Sequence, residues 1–87
     1  PLAQFSPDGR NLITTLLRPT HTEIYLHSFD SGTGQTLPGT ARGIAPFWHP
    51  DGRQIFYTRD SILMSFDLTS STTTLVQAGV STIFGVD

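Results

Sequence analysis

A six-residue block occurs twice in this 87-residue chain. Phe5-Ser6-Pro7-Asp8-Gly9-Arg10 returns as Trp48-His49-Pro50-Asp51-Gly52-Arg53, 43 residues later and identical at four of the six positions. Internal self-similarity at such a period constrains the fold more than composition does, because it marks a supersecondary unit used more than once. A β-prone run follows each copy, Leu12-Ile13-Thr14-Thr15-Leu16-Leu17 in the first and Ile55-Phe56-Tyr57-Thr58 in the second. A second anchor, Ser28-Phe29-Asp30, returns as Ser65-Phe66-Asp67 at an offset of 37 residues. The two offsets predict a six-residue shortening between the second and third strands, where the first copy carries Arg18-Pro19-Thr20-His21-Thr22-Glu23. Surface loops tolerate such length changes.

Each copy reads as four short strands separated by turn signals. In the first they are Ala3-Phe5, Leu12-Leu17, Ile24-Phe29 and Gln35-Leu37; in the second, Pro46-Trp48, Gln54-Thr58, Ile62-Asp67 and Thr73-Val76. Pro7, Asp8 and Gly9, and again Pro50, Asp51 and Gly52, supply the first turn of each copy. Proline presets φ, aspartate hydrogen-bonds its own backbone, and glycine accepts the positive φ of a tight hairpin. Asp30-Ser31-Gly32-Thr33-Gly34 and Thr69-Ser70-Ser71-Thr72 break the third strand from the fourth. No segment sustains a helical period, so the fold class is all-β.

Two four-stranded units at this period fit two antiparallel blades of a β-propeller better than one sandwich. The expected organisation is a first blade over residues 1–43, a second over 44–79, and the start of a further strand or blade over 80–87. Closed propellers hold about 4–8 blades, so two blades by themselves leave an apolar face open at each end. Phe56 and Phe66 are expected to be partly uncovered there. Of the aromatic residues Trp48, Phe56, Tyr57 and Phe66, most are expected to pack between blades rather than form a recognition surface, since alternate strand residues face opposite sides.

The Phe-Ser-Pro-Asp-Gly-Arg block with its β run, then Glu23-Ile24-Tyr25-Leu26 and a Phe-Asp ending, resembles the TolB-type, WD-like propeller repeat of bacterial proteins. The second copy, from Pro46 through Tyr57 with Leu63-Met64 on its third strand, is similar in the same way. The resemblance covers residues 3 to about 77. It implies a propeller of the kind joined to bacterial serine/threonine kinases, winged-helix regulators and peptidases, besides the periplasmic TolB type itself. His49 stands where the first copy has Ser6, and neither copy ends its third strand with the longer acidic turn common in that family.

Several function classes fall away on composition and motif. There is no cysteine, which removes disulfides and thiolate metal sites. The five basic residues, all arginine, are scattered, and the net charge is -2, so no nucleic-acid partner is expected. No stretch approaches the ~18 apolar residues of a membrane span. The chain opens at Pro1 and stops in what reads as the start of another strand, so a longer protein is expected. The missing signal peptide then says nothing about export, and periplasm and cytoplasm both stay open.

His21, His27 and His49 show no ligand spacing, Gly32-Thr33-Gly34 lacks the rest of a dinucleotide fingerprint, and no phosphate loop, calcium loop or Gly-x-Ser-x-Gly elbow is present. Asp8 and Asp51 have a complete turn explanation, and His49 is expected to cap or border the second turn. No catalytic residue, cofactor or metal is therefore expected.

The best binding argument is topological. Successive loops of an up-and-down sheet alternate ends, so the loop between strands two and three shares a rim with the connection between blades. That places Arg18, His21 and Glu23 beside Thr40, Arg42 and Gly43 as possible rim contacts. The leading expectation is a non-catalytic scaffold for a protein or peptide partner. Its competitor is an accessory part of a larger enzyme, a peptidase or serine/threonine kinase whose catalytic domain lies outside this chain. A third option is self-association through the blade faces.

Overall fold

The computed structural model describes residues 3–78, which form eight strands and no helix. They are β1 (Ala3–Phe5), β2 (Asn11–Leu17), β3 (Thr22–Ser28), β4 (Thr33–Thr36), β5 (Ile44–Trp48), β6 (Gln54–Arg59), β7 (Ile62–Asp67) and β8 (Thr72–Ala78). They make two antiparallel sheets, β1-β2-β3-β4 and β5-β6-β7-β8, with every strand beside its sequence neighbour. The further strand expected over 80–87 lies outside the described residues.

The Pro-Asp-Gly turns are built alike. In the first, the Gly9 amide donates to the Ser6 carbonyl at 2.9 Å, while Asp8 Oδ1 accepts from the Ser6 hydroxyl at 2.6 Å and the Arg10 amide at 2.9 Å. In the second, the Gly52 amide donates to the His49 carbonyl at 3.0 Å, and Asp51 Oδ1 accepts from the Arg53 amide at 2.8 Å. The side chain before the proline accepts differently in the two copies: Ser6 Oγ accepts the Asn11 amide at 3.0 Å, and His49 Nδ1 accepts the Asp51 amide at 3.0 Å. Gly9 and Gly52 stand at φ of 74° and 70°, a region from which a Cβ excludes most residues.

Strand register corrects the second repeat anchor. Asn11 pairs with Ser28, and its counterpart Gln54 pairs with Asp67. The third strands therefore correspond at an offset of 39 residues, not 37. The backbone agrees: the Phe29 amide donates to Arg10 O and the Leu68 amide to Arg53 O, each at 2.9 Å. The shared Ser-Phe-Asp triplets are two positions out of step, and Phe66 corresponds to His27 rather than to Phe29. The shortening is four residues. It combines one extra ladder pair in the first blade, Leu17 with Thr22, with a four-residue loop where β6 and β7 turn in two. β4 also begins two residues earlier than expected, because Gly34 joins the ladder opposite His27. A Cβ at Gly34 would overlap the Tyr25 ring.

The core lies between the sheets. Ile13, Ile24 and Leu37 of the first meet Ile55, Tyr57, Met64 and Phe66 of the second, all buried, with Leu26, Trp48, Ile62 and Leu68 packed around them. Cross-strand pairing puts the second set on one face, since Ile55 opposes Phe66 and Tyr57 opposes Met64. Each buried side chain of this size contributes about 1.5–3 kcal/mol. The Trp48 indole donates to the Gln4 carbonyl at 3.0 Å, tying β5 to β1 across the seam. Gly43 is held to glycine by close approach, as a Cβ there would lie 2.8 Å from both the Thr40 carbonyl and the Tyr57 ring.

One expectation about the open faces is corrected here. Phe66 is 1% exposed, because it shares a face with Ile55 and that face is the one turned toward the first sheet. Phe56 opposes Ser65 and so points the other way, where it is half-buried. Period two decides it: residues 56 and 66 lie on paired strands out of phase, and only one can look into the seam.

Candidate functional site

The rim that holds the β2–β3 loop gathers most of the charged side chains that touch one another. The loop, Arg18-Pro19-Thr20-His21, closes with the Arg18 amide donating to His21 O at 2.8 Å. Glu23, the second residue of β3, then stands between two bases. Arg18 Nε donates to its Oε1 at 3.0 Å, and His21 Nε2 lies 3.3 Å from its Oε2. Thr20 Oγ1 lies 3.1 Å from the other imidazole nitrogen, Nδ1. The Arg18 guanidinium foremost, and His21 after it, hold the Glu23 carboxyl below its ordinary value.

The connection between the sheets docks beside this loop through backbone. The Arg42 amide donates to Thr22 O at 2.6 Å, and the Thr22 hydroxyl donates to Gly43 O at 2.7 Å. Arg42, with φ at 67°, turns its exposed guanidinium to Asp60 at 2.7 Å. Thr40 is not a rim contact: it is fully buried, its hydroxyl donating to Leu37 O at 2.7 Å and accepting the Ile24 amide at 3.2 Å. That hydroxyl stands in for a ladder partner where β4 has ended.

Sequence reasoning missed three residues of this rim. Asp60 and Ser61, with φ of 52° and 64°, form the tight β6–β7 turn, a pair of left-handed residues of the type I′ kind. Arg59 at its base donates to Gly39 O at 3.3 Å. The alternation of loop ends that placed Arg18 here also places Arg59 and Asp60 here; the signal was present. Arg10 and Arg53, at the Pro-Asp-Gly turns, occupy the opposite rim.

The remaining candidates stay apart. Asp8 and Asp51 are held below the ordinary carboxylate value, the first mainly by the Ser6 hydroxyl and the second mainly by the Arg53 amide. These are turn bonds, on separate blades. His27 packs edge-on to Phe29 with ring centroids 4.9 Å apart, on the face away from the seam. Burial pushes the Tyr57 phenol up, and its hydroxyl donates to Gly39 O at 3.3 Å. Among the described residues no group of three or more His, Cys, Asp or Glu is placed to hold a metal ion. With no helix among them, the described residues hold none long and apolar enough to cross a membrane, which bears on helical spans alone. A hollow of about 230 Å³ beside β3 and β4 is lined by Leu26, Ser28, Ser31, Thr33, Gly34 and Gln35, below the ~300 Å³ at which ligand pockets usually begin.

With this geometry in place, the chain can be set beside solved structures. It superposes on the β-propeller domain of the Trilobed protease from Pyrococcus furiosus, described as having an open velcro topology, with a TM-score of 0.69 and 15% identity over 86% of this chain. It also superposes on TolB from Acinetobacter baumannii, with a TM-score of 0.66 and 20% identity over 84% of this chain. The chain spans 28% and 20% of those two structures. No family model and no curated protein matches the sequence. The fold is therefore that of a β-propeller, and the two four-stranded sheets are about two of its blades.

Proposed function

We propose that the chain is a non-catalytic interaction scaffold, with boundaries between blades near residue 43 and near residue 79, and that its binding surface is the rim built by Arg18, His21, Glu23 and Arg42 together with Arg59 and Asp60. The observation that carries this reading is the meeting of three chain segments at that rim, each bringing charged side chains: the β2–β3 loop, the blade connection, and the β6–β7 turn. It is also the end at which the two blades differ in length. Loops that vary on a constant scaffold are where recognition resides, and arginine suits bidentate contact with carboxylates of a protein or peptide. The rim's internal ion pairs are exposed and worth little by themselves, so a partner's carboxylates can displace them at small cost.

The test is selection of a displayed random peptide library on the chain and on an Arg18→Ala/Arg42→Ala variant. Enrichment of a peptide motif on the parent and its loss on the folded variant support the rim. Equal enrichment on both, or none on the parent, removes it. A second reading has one observation in its favour: one similar structure is a propeller domain of a protease. On that reading the two blades belong to an accessory propeller of a larger enzyme, and a catalytic domain encoded in the same gene would separate the two.

A further inference from the structure

The strand edges of the two sheets are not equally guarded. β1 and β5 meet across the seam, where Gln4 O already accepts from the Trp48 indole, and β5 carries Pro46 and a register shift between Ile44 and Phe47. β8 pairs through a register shift at Leu63 and Met64. β4, Thr33-Gly34-Gln35-Thr36, runs in unbroken register along β3 with no charge and no proline. Natural edges are blunted by charge, proline or bulges, and this one has none of them. Among the described residues no strand of the second blade touches it. Further blades would leave it open as well, because blades stack on faces, as these two do, and the outermost strand keeps its edge at the perimeter.

The ladder tells which groups of β4 stand at that edge. The Leu37 amide donates to Ile24 O at 2.8 Å, so that pair exchanges bonds, and alternation makes Leu26–Gln35 and Ser28–Thr33 the next bonded pairs. The amides and carbonyls of Gly34 and Thr36 therefore point away from β3. Another extended backbone is what offers acceptors and donors at the spacing of these groups. Gln35, between them, is exposed.

We infer that β4 pairs antiparallel with β4 of a second copy, about a two-fold axis at Gln35, so that the first sheets of the two copies join edge to edge. In that register Gly34 opposes Thr36 of the other copy and exchanges both backbone hydrogen bonds with it, on each side of the axis. The two Gln35 side chains meet over the axis, each amide holding a donor and an acceptor for the other. Charge selects a second copy as the occupant. Every charged side chain of the described residues stands at one of the two rims. One rim carries Arg18, Arg42 and Arg59 against Glu23 and Asp60, an excess of positive charge; the other carries Asp8, Asp30, Asp51 and Asp67 against Arg10 and Arg53, an excess of negative charge. An antiparallel pair lays the positive rim of each copy beside the negative rim of its mate. The contact is isologous and closes at the dimer. β4 is short, so the dimer depends on concentration. Peptide binding at the Arg18 rim is not needed for it, and either reading can fail alone.

Cross-linking and sedimentation velocity test this. The chain has no cysteine, so a single introduced thiol reports only on contact between copies. In the proposed register the two Gln35 Cα atoms lie about 4.5 Å apart, within disulfide reach, and the two Thr33 Cα atoms about 14 Å apart. Under oxidised glutathione, Gln35→Cys is expected to give a covalent dimer and Thr33→Cys is not. The parent is expected to associate as its concentration rises toward millimolar. Thr36→Pro removes a donor that points away from β3 and so spares the ladder within the blade. It is expected to raise the association midpoint at least about tenfold, since each dimer loses a hydrogen bond on either side of the axis. Thermal melts establish that each variant is folded; if Thr36→Pro is not, the parent and the two cysteine variants carry the test. A parent that stays monomeric, as it would if the edge served another protein's strand, overturns the proposal. So does a Gln35→Cys variant that cross-links no better than Thr33→Cys, or a folded Thr36→Pro variant whose midpoint does not move.

Discussion

The two blades are near copies at one end and different at the other. At the Pro-Asp-Gly end the backbone bonds agree closely, and even the exchange of Ser6 for His49 keeps a side-chain acceptor beside the turn. At the opposite end a four-residue loop with a Glu23 pair faces a two-residue turn of left-handed residues. The conserved end is closed by contacts within six residues of chain, so it forms wherever that block occurs. The variable end meets the connection between blades, and its geometry depends on what the other blade places against it.

A larger contrast separates the two equivalent faces, one in the seam and one open. Phe66→Ala would empty a fully buried site and is expected to cost about 3–5 kcal/mol, a large share of the stability of a chain this size. Its counterpart His27→Ala is expected to cost no more than about 1 kcal/mol when melted at dilution, as for other sites outside the core. Denaturant titrations of both variants check the pair. Similar losses would mean that the blades are not packed in the order described.

The shared turns predict equality instead. Gly9→Val and Gly52→Val are each expected to destabilise by about 1–3 kcal/mol, since a β-branched residue is forced to positive φ. No atom lies within 3.9 Å of a Cβ at either place, so strain alone sets the cost. Thr33→Val, in an exposed strand, is the control and is expected to shift the melting temperature little. A difference between the two glycine variants would expose tertiary help that only one turn receives.

At the variable end, Ser61→Gly is expected to stabilise by a few tenths to about 1 kcal/mol, because glycine relieves a left-handed residue in the two-residue turn. The Arg42–Asp60 pair is left in place by this change, and a rise in melting temperature measures it. A fall would mean that Ser61 makes a contact worth more than its backbone strain.

The smallest effect is electrostatic and belongs to the first blade alone. The folded Glu23 carboxyl lies below its ordinary 4.5, so the contribution of its pairing is present above that value and is lost as pH falls through the folded value. The melting difference between the parent and Glu23→Gln is expected to be slight at neutral pH and to close under acid, below pH 4.5. Exposure and screening keep it small. A difference that grew under acid would reverse the sign and remove the pair from the account.

The sequence by itself determined the elements. Turn chemistry at Pro7-Asp8-Gly9 and Pro50-Asp51-Gly52 and the β-prone runs are local properties, and they sufficed for eight strands, the all-β class and the two-blade period. Loop alternation, also readable along the chain, brought Arg18, His21, Glu23 and Arg42 to one rim. Only the tertiary structure decided register and facing. The Ser-Phe-Asp triplets pointed to an offset of 37 where hydrogen bonding sets 39, because strands pair by ladder position and not by identity of residue. The same cause hid Phe66 in the seam, turned Phe56 out, and sent Thr40 from the expected rim into the core. In a strand every second residue faces the same way, so local sequence names the two faces, and only packing against another sheet selects the one to be buried.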